Sequence, residues 1–398
     1  MSIGINELMP GARNCFQQWA KVKPGEEVVI LTDTSVDPWV IEAYRIAAEE
    51  LTDHVYVLSM NLSMGGSDLN KLVDYLTCKR WPNFVGKSIL NADVVLIATI
   101  FTHHLLIGEF GIENASDLRD KFGVRGIKTS ILSREGLASD WSRYPADLTN
   151  GIKKLAHEAI RKATNGDYEN AKVRVTDPEG TDLAFTGFSF GTSSTFAMAG
   201  KETFMIDWQN PVVGTNPSKP EPNAEGRIVS TSLHVGPIPT IEITIEKGKA
   251  VDLKGGGAIG KKWKMAWEKW KDLSSLKRRE TYRHQGPGVN WLEEMMWGTH
   301  PKAIRLDKSW QGSPAAHGWM GGTRRSGILH FGFGGGYHEN YHHRDVELLF
   351  PTVKINNDLI IEDGRLTVLD WPETRTLASQ YGDPDQLLTE DWIPSYPK

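Results

Sequence analysis

The sequence predicts an α/β fold in which an N-terminal Rossmann-like domain with a parallel sheet precedes an α+β domain. Strand and helix patterns alternate before residue 165, and strand patterns dominate after it. Such alternation is typical of a mostly parallel sheet with helices on both faces. The chain has 398 residues, which is too long for one average domain. We therefore expect two domains, at 1–165 and 166–398, joined at the turn-forming residues Asn165, Gly166 and Asp167.

Continuous apolar runs in the first domain are typical of strands that are covered on both faces. They lie at 28–32, 54–59, 92–100 and 126–131. Helical patterns flank these runs, at 5–23, 37–51, 69–76 and 146–164. The first strand leads into the segment 32–38, which lacks the Gly-x-Gly-x-x-Gly pattern with which Rossmann domains bind dinucleotides. We therefore expect no nucleotide cofactor.

The second domain shows the alternating patterns of half-buried strands. A hairpin is predicted at 171–185, and further strands at 228–232 and 240–246. The segment 346–361 is predicted to form two strands joined by a turn at 356–358. The segment 210–223 contains four prolines and is predicted to lack regular structure. A helix is predicted at 262–279, where Trp263, Trp267 and Trp270 recur at helical spacing, and we expect these rings in the core or at an interface.

Composition and charge exclude several classes of protein. The formal net charge is -5 without a block of like charge, which disfavours a nucleic-acid partner. Cys15 and Cys78 are the two cysteines, so a disulfide scaffold is excluded and a reducing compartment is expected. No targeting peptide is apparent, and no apolar run reaches membrane-spanning length. The expectation is a cytoplasmic protein with no nucleic-acid or membrane partner.

The segment 327–345 carries the pattern that most strongly indicates chemistry. His330 follows apolar residues, a glycine-rich turn comes next, and His343 stands two positions before Asp345. On an extended segment His343 and Asp345 point to the same face, because strand side chains repeat every two residues. Imidazole nitrogen and carboxylate oxygen together suit a divalent ion such as zinc, manganese or iron. Seven of the twelve histidines lie between His284 and His343, which also favours a metal site.

Five segments together resemble the M29 metallo-aminopeptidases, over nearly the whole chain. They are Thr176-Asp-Pro-Glu-Gly-Thr-Asp-Leu183, Pro222-Asn-Ala-Glu225-Gly, Leu292-Glu-Glu294-Met-Met-Trp-Gly298, Ile328-Leu-His330-Phe-Gly-Phe-Gly334-Gly-Gly-Tyr337 and His343-Arg-Asp345. The resemblance implies a site that holds one or two divalent ions (Zn, Mn, Co or Fe). The implied metal ligands are Glu225, Glu294, His330, His343 and Asp345. It further implies that Glu294 transfers a proton and that Tyr337 donates a hydrogen bond to the developing oxyanion.

Two departures from the peptidase pattern bring a second group of this fold into consideration. The stretch between Tyr337 and His343 is shorter than in the peptidases, and the segment at Glu225 reads Glu-Gly where they have Gly-Glu. Both features are similar to the 2,5-dihydroxypyridine 5,6-dioxygenases, which hold a single iron with two histidines and an aspartate. In that group the position of Glu294 is a histidine, and the position of His330 is not a ligand.

The expected function is therefore a metal-dependent hydrolase that cleaves an amide or peptide-type bond, in a small molecule or short peptide. The alternative is a non-haem iron dioxygenase that opens a hydroxylated pyridine-like ring. A metal-binding protein with a structural or regulatory role is the third class. We also expect a homodimer.

Overall fold

The fold is given by a computed structural model, which describes residues 3–34, 36–60, 83–98, 123–129, 131–188, 205–208, 212–215, 223–233, 236–270, 290–304, 324–333 and 344–390. Among them are nine α-helices, α1 to α9, which are Ile5–Asn14, Pro38–Glu49, Asn83–Asn91, Arg134–Ala138, Asp140–Arg143, Ala146–Thr164, Gly257–Trp270, Pro372–Ala378 and Pro384–Leu388. A π-helical turn, Cys15–Ala20, continues α1, and a 3₁₀ turn covers Thr367–Asp370. None of the helices in these ranges is both long and apolar enough to cross a membrane.

Seventeen strands are described, and they form two sheets. In chain order β1 to β9 are Val28–Asp33, Val55–Met60, Val94–Ala98, Arg125–Thr129, Lys172–Thr176, Asp182–Thr186, Met205–Trp208, Val212–Thr215 and Glu225–Leu233. They are followed by β10 to β17, which are Gly236–Glu246, Lys249–Gly255, Leu292–Gly298, Leu329–Phe333, Arg344–Leu348, Thr352–Ile355, Asp358–Glu362 and Arg365–Leu366. The chain is thus a mixed α/β protein, as expected.

The first sheet is parallel, with its strands in the order β2-β1-β3-β4-β7. The central strands β1 and β3 are buried along their whole length, which explains their continuous apolar sequences. Side chains of α1 and α2 pack against them in one hydrophobic core. The predicted strands and helices of this region are confirmed to within a few residues, except the helix at 69–76, which lies outside the described residues.

The chain crosses between the two sheets more than once. Strand β7 lies well after residue 165 yet pairs in parallel with β4. Helix α6, which lies before residue 165, buries Leu148 and Ile152 in the core of the second sheet. The division into domains at residue 165 therefore stays a prediction.

The second sheet is antiparallel, in the order β17-β16-β15-β5-β6-β9-β14-β13-β12-β8, with β10 and β11 continuing from β9. Strand β8, Val212–Thr215, lies inside the segment 210–223 that was predicted to lack regular structure, and that prediction was wrong for these four residues. The prolines nearest to it, Pro211 and Pro217, flank the strand rather than interrupt it. Among the described strands β8 pairs with β12 alone, and such an edge position tolerates proline at the strand ends.

Helix α7 lies against β10 and β11 and reaches β13 through one aromatic contact. Trp263 packs edge-on against Phe333 of β13, with the ring centroids 5.7 Å apart, and against Trp267 at 5.8 Å. Both tryptophans are buried, so their predicted place in the core is confirmed. The side chain of Trp270 and the predicted extension of the helix to residue 279 lie outside the described residues.

Candidate metal centre

Strands β12, β13 and β14 are apolar on one face and polar on the other. The apolar face belongs to the hydrophobic core, and its members are Met295, Trp297, Phe331, Phe333, Val346 and Leu348. The alternate positions form the opposite face, and they are Glu294, Met296, His330, Gly332, Asp345 and Glu347. Because the core fixes the apolar face, the register of the three strands also fixes which polar side chains meet.

The strand register brings two carboxylates and an imidazole together. Glu294 of β12 pairs with Gly332 of β13, and Gly332 pairs in turn with Asp345 of β14. His330 lies two residues before Gly332 and so points to the same face. Gly332, which lies between the two carboxylates in the ladder, contributes no side chain to this face.

One side-chain atom from each of Glu294, His330 and Asp345 lies within 4.8 Å of the others. The Nε2 atom of His330 is 3.5 Å from Oε1 of Glu294. His330 is 2% exposed and the Glu294 side chain 16% exposed, so the cluster is largely removed from water. Two carboxylates held close together repel one another, and a bound cation relieves this repulsion.

The donor set fits a divalent metal ion. Two ligand atoms on a tetrahedral ion with bonds of 2.0–2.1 Å are about 3.4 Å apart. The separation of 3.5 Å between His330 and Glu294 is close to that value. It is longer than an ordinary N–H···O hydrogen bond of about 2.7–3.2 Å. Carboxylate and imidazole donors of this kind suit zinc, manganese, cobalt or iron.

Glu225 is not brought to this cluster. It is the first residue of β9, it is exposed, and its Oε1 accepts a hydrogen bond of 2.9 Å from the backbone nitrogen of Lys247. Ser232, seven residues farther along the same strand, is the residue that pairs with Glu347 of β14. At about 3.3 Å per residue the strand separates Glu225 from Ser232 by about 23 Å, so Glu225 cannot share an ion with His330.

Two other predicted site residues, His343 and Tyr337, lie outside the described residues. His343 directly precedes β14, and Asp345 is the second residue of that strand. Their roles therefore stay predictions.

The sequence interpretation missed one acidic side chain on the polar face, Glu347. It is 1% exposed, and its Oε2 accepts a hydrogen bond of 2.8 Å from Oγ of Ser232. Extending the two-residue period from His343 and Asp345 would have reached it, because Glu347 is the next position on the same face.

Comparisons with known proteins show that solved structures share the fold of this chain. No protein-family model matches the sequence, and no curated protein sequence matches it. Among solved structures, 2,5-dihydroxypyridine dioxygenase from Pseudomonas putida KT2440 superposes with a TM-score of 0.59 at 16% identity, covering 94% of this chain and 100% of that one. AmpT from Thermus thermophilus superposes with a TM-score of 0.54 at 12% identity, covering 91% and 99%.

The chain has the fold of these two proteins. The likeness in fold to a 2,5-dihydroxypyridine dioxygenase and to AmpT agrees with the resemblance expected from the sequence motifs. Both matches cover almost the whole of this chain, so the parallel and the antiparallel sheet are both part of the likeness. At these identities the likeness shows the fold alone, and the argument for an activity depends on the residues of the metal centre.

Proposed function

We propose that the chain is a metal-dependent hydrolase that cleaves an amide or peptide-type bond in a small molecule or short peptide. The observation that carries this proposal is the convergence of two carboxylates, Glu294 and Asp345, with the imidazole of His330 on one face of the sheet. A set rich in carboxylates suits a hard or borderline divalent ion. The superposition on an aminopeptidase and on a dioxygenase supports an enzymatic role for this centre.

In this proposal Glu294, His330 and Asp345 hold a divalent ion, and His343 is a further ligand from the residue before β14. The ion when bound lowers the pKa of a water and polarises the carbonyl group of the substrate. The core packing beneath β12, β13 and β14 holds the three side chains in place. Among the described residues, one cluster of donor atoms is present, which is enough for one ion. Glu225 lies far along β9 and does not add a ligand for a second ion.

Glu294 is the residue best placed to move a proton. Its side chain is 16% exposed, whereas His330 is 2% exposed, so Glu294 has the better access to solvent and substrate. A carboxylate in this position takes a proton from the attacking water and delivers it to the leaving amine. Tyr337 is proposed to donate a hydrogen bond to the oxyanion that forms on the carbonyl oxygen.

The alternative is a ring-cleaving dioxygenase with a single non-haem iron. The observation that favours this alternative is the superposition on the dioxygenase, whose TM-score of 0.59 is slightly higher than the 0.54 of AmpT. An oxygen-activating triad has two histidines and one carboxylate. With His343 as the proposed further ligand, His330, His343 and Asp345 would make up such a triad, and the carboxylate of Glu294, which the described cluster contains, would be surplus to it. This composition favours hydrolysis.

Metal removal and replacement test the proposal. Protein stripped with a chelator is reloaded separately with Zn²⁺, Mn²⁺, Co²⁺ and Fe²⁺ and assayed on aminoacyl 4-nitroanilides, dipeptides and small amides. We expect no turnover in the stripped protein and recovery with at least one ion. The Asp345→Asn protein, treated in the same way, should not recover. Equal turnover before and after stripping would contradict a metal-dependent reaction.

A further inference from the structure

Glu347 lies beside the metal centre without belonging to its donor cluster. It pairs with His330 across the β13–β14 ladder, and it follows Asp345 by two residues on the same face. Cross-strand neighbours on one face have their Cβ atoms about 4.5–5.5 Å apart. The side chain is 1% exposed, so a third carboxylate is buried next to His330 and Asp345.

Two serines of β9 hold Glu347 in place. Oγ of Ser232 donates to Oε2 of Glu347 at 2.8 Å, and Oγ of Ser230 donates to the backbone carbonyl oxygen of Glu347 at 2.7 Å. Among the described residues, Glu347 and Ser232 are the one backbone pair that joins β14 to β9. The carboxylate is therefore fixed at the point where the strands of the metal centre meet the rest of the sheet.

The burial of this third carboxylate has an electrostatic consequence. A buried carboxylate is costly, and a nearby opposite charge offsets the cost. Charges removed from solvent are also weakly screened by salt. Glu347 stands next to His330 and Asp345 on this face, so a divalent ion held beside His330 would be attracted by its carboxylate as well as by those of Glu294 and Asp345.

We propose that Glu347 is a positioning residue that strengthens divalent-ion binding at the centre formed by Glu294, His330 and Asp345. It acts in two ways. Its charge adds to the field at the ion, and its fixation by Ser232 holds β14, and thus Asp345, in register with His330. Groups outside the direct ligands of a metal typically change its affinity by about 10- to 100-fold. This inference depends on the proposed function only in that the three ligands must bind an ion.

A purely architectural role for Glu347 gives different expectations. If Glu347 only joined β14 to β9, Glu347→Gln would lower the stability of the metal-free protein and leave metal affinity unchanged. In our proposal the substitution removes a buried charge but keeps the shape and the acceptor for Ser232. Metal binding then weakens, whatever the effect of the substitution on the stability of the metal-free protein.

The experiment is a Zn²⁺ titration of the metal-free full-length chain, by competition with a chromophoric chelator, together with the thermal midpoint of the metal-free protein. For Glu347→Gln we expect a Kd about 10- to 100-fold higher than that of the wild type, and the midpoint shows whether the variant keeps its fold. Ser232→Ala frees the carboxylate to move and should raise the Kd by a smaller factor. Glu362→Gln on the exposed part of β16 removes the same charge elsewhere and should leave the Kd unchanged.

Each outcome has a distinct meaning. A Kd within twofold of the wild type for Glu347→Gln overturns the inference while leaving the proposed function intact. A lower midpoint with an unchanged Kd supports the architectural role and also overturns it. If Glu347→Gln does not purify as a folded protein, an unchanged Kd for Ser232→Ala counts against the inference, and a raised one supports it. Failure of the wild type to bind Zn²⁺, Mn²⁺, Co²⁺ or Fe²⁺ would instead refute the proposed function.

Discussion

The Nε2 atom of His330 lies 3.5 Å from Oε1 of Glu294, across the antiparallel pair β12 and β13. The two residues are not directly opposite each other, because Met296 pairs with His330 and Glu294 pairs with Gly332. The contact between the imidazole and the carboxylate is therefore a diagonal one across the ladder. Gly332 is the residue that pairs with both Glu294 and Asp345, so it contributes no side chain to the face on which the two carboxylates and the imidazole meet.

The first prediction concerns Glu294. In the Glu294→Gln protein kcat should fall by about 100-fold or more, because an amide cannot take the proton from the attacking water. The amide oxygen still contributes to ion binding beside His330 and Asp345, so at least one ion is retained. Metal content and kcat are measured on the same preparation, with Glu362→Gln as the control for loss of charge. Wild-type kcat in the variant would remove Glu294 from the mechanism.

The second prediction separates the residues that the structure brings together from the one that it does not. His330→Ala and Asp345→Asn should each weaken Zn²⁺ binding by more than about 100-fold, since direct ligands matter more than their neighbours. His343→Ala should behave in the same way if His343 is a ligand. Glu225→Gln should bind Zn²⁺ as the wild type does. A large loss of Zn²⁺ affinity in Glu225→Gln would contradict its position far along β9.

The sequence predicts the parallel sheet better than it predicts the metal centre, for a physical reason. A strand covered on both faces must be apolar throughout, so β1 and β3 can be recognised locally. Helix α6 also covers the predicted residues, Ala146–Thr164, because its apolar stripe and its end at Asn165 are local features. In contrast, Met and Glu in β12 have weak strand preferences, and their pairing with β8 and β13 makes the strand.

For the candidate metal centre, too, the sequence indicates the residue types, whereas their positions depend on how the strands pair. Motifs identified Glu294, His330 and Asp345 as the right types of donor, and the register of β12, β13 and β14 then brought them together. Glu225 carries an equally suitable carboxylate, but the length of β9 separates it from the cluster, which sequence order does not reveal. Glu347 continues the two-residue period of His343 and Asp345, but its burial and its hydrogen bond from Ser232 become visible only in the folded chain.

The third prediction concerns Gly327, which lies two residues before β13. Its φ is +80°, and a Cβ atom at this position would overlap the backbone oxygen of Gly364. Gly166 has the same φ of +80° with nothing within 4 Å of the added Cβ, which makes it a matched control. Gly166→Ala should cost about 1–2 kcal/mol of unfolding free energy through the backbone conformation alone. Gly327→Ala should cost at least about 3 kcal/mol, through the same strain plus the steric overlap.

Urea unfolding of the metal-free Gly166→Ala and Gly327→Ala proteins measures this difference. Equal losses of unfolding free energy in both variants would show that Gly364 does not crowd position 327.

The fourth prediction concerns pH. Burial, with a smaller effect of Lys302, lowers the pKa of His300 from 6.5 to about 3, and the ring packs on Tyr144 with a centroid distance of 4.7 Å. Burial together with Lys153 also lowers the pKa of His157 to about 3. The unfolded chain takes up these protons below about pH 6.5, whereas the folded protein does so only near pH 3. The free energy of unfolding should therefore be highest above pH 6.5 and should decrease as the pH falls toward 3.

The thermal midpoint, measured from pH 7.5 to 4.5, tests this dependence. In His300→Asn the amide oxygen can accept the hydrogen bond of 3.0 Å that the backbone nitrogen of Lys302 donates to Nδ1 of His300. The variant has no proton to gain in this range, so its midpoint should fall less steeply with decreasing pH than that of the wild type. Parallel curves would show that His300 does not contribute to the acid sensitivity.

Oxygen consumption during turnover is the most direct test of the central claim, that Glu294, His330 and Asp345 form the centre of a hydrolase. The metal-loaded enzyme is assayed with aminoacyl 4-nitroanilides, dipeptides and small amides, and with 2,5-dihydroxypyridine, in a sealed cell with an oxygen electrode. The account predicts cleavage of an amide at the same rate in air and under strict anaerobiosis, without oxygen uptake. Stoichiometric oxygen uptake by the iron-loaded enzyme with 2,5-dihydroxypyridine, and no cleavage of any amide, would contradict it.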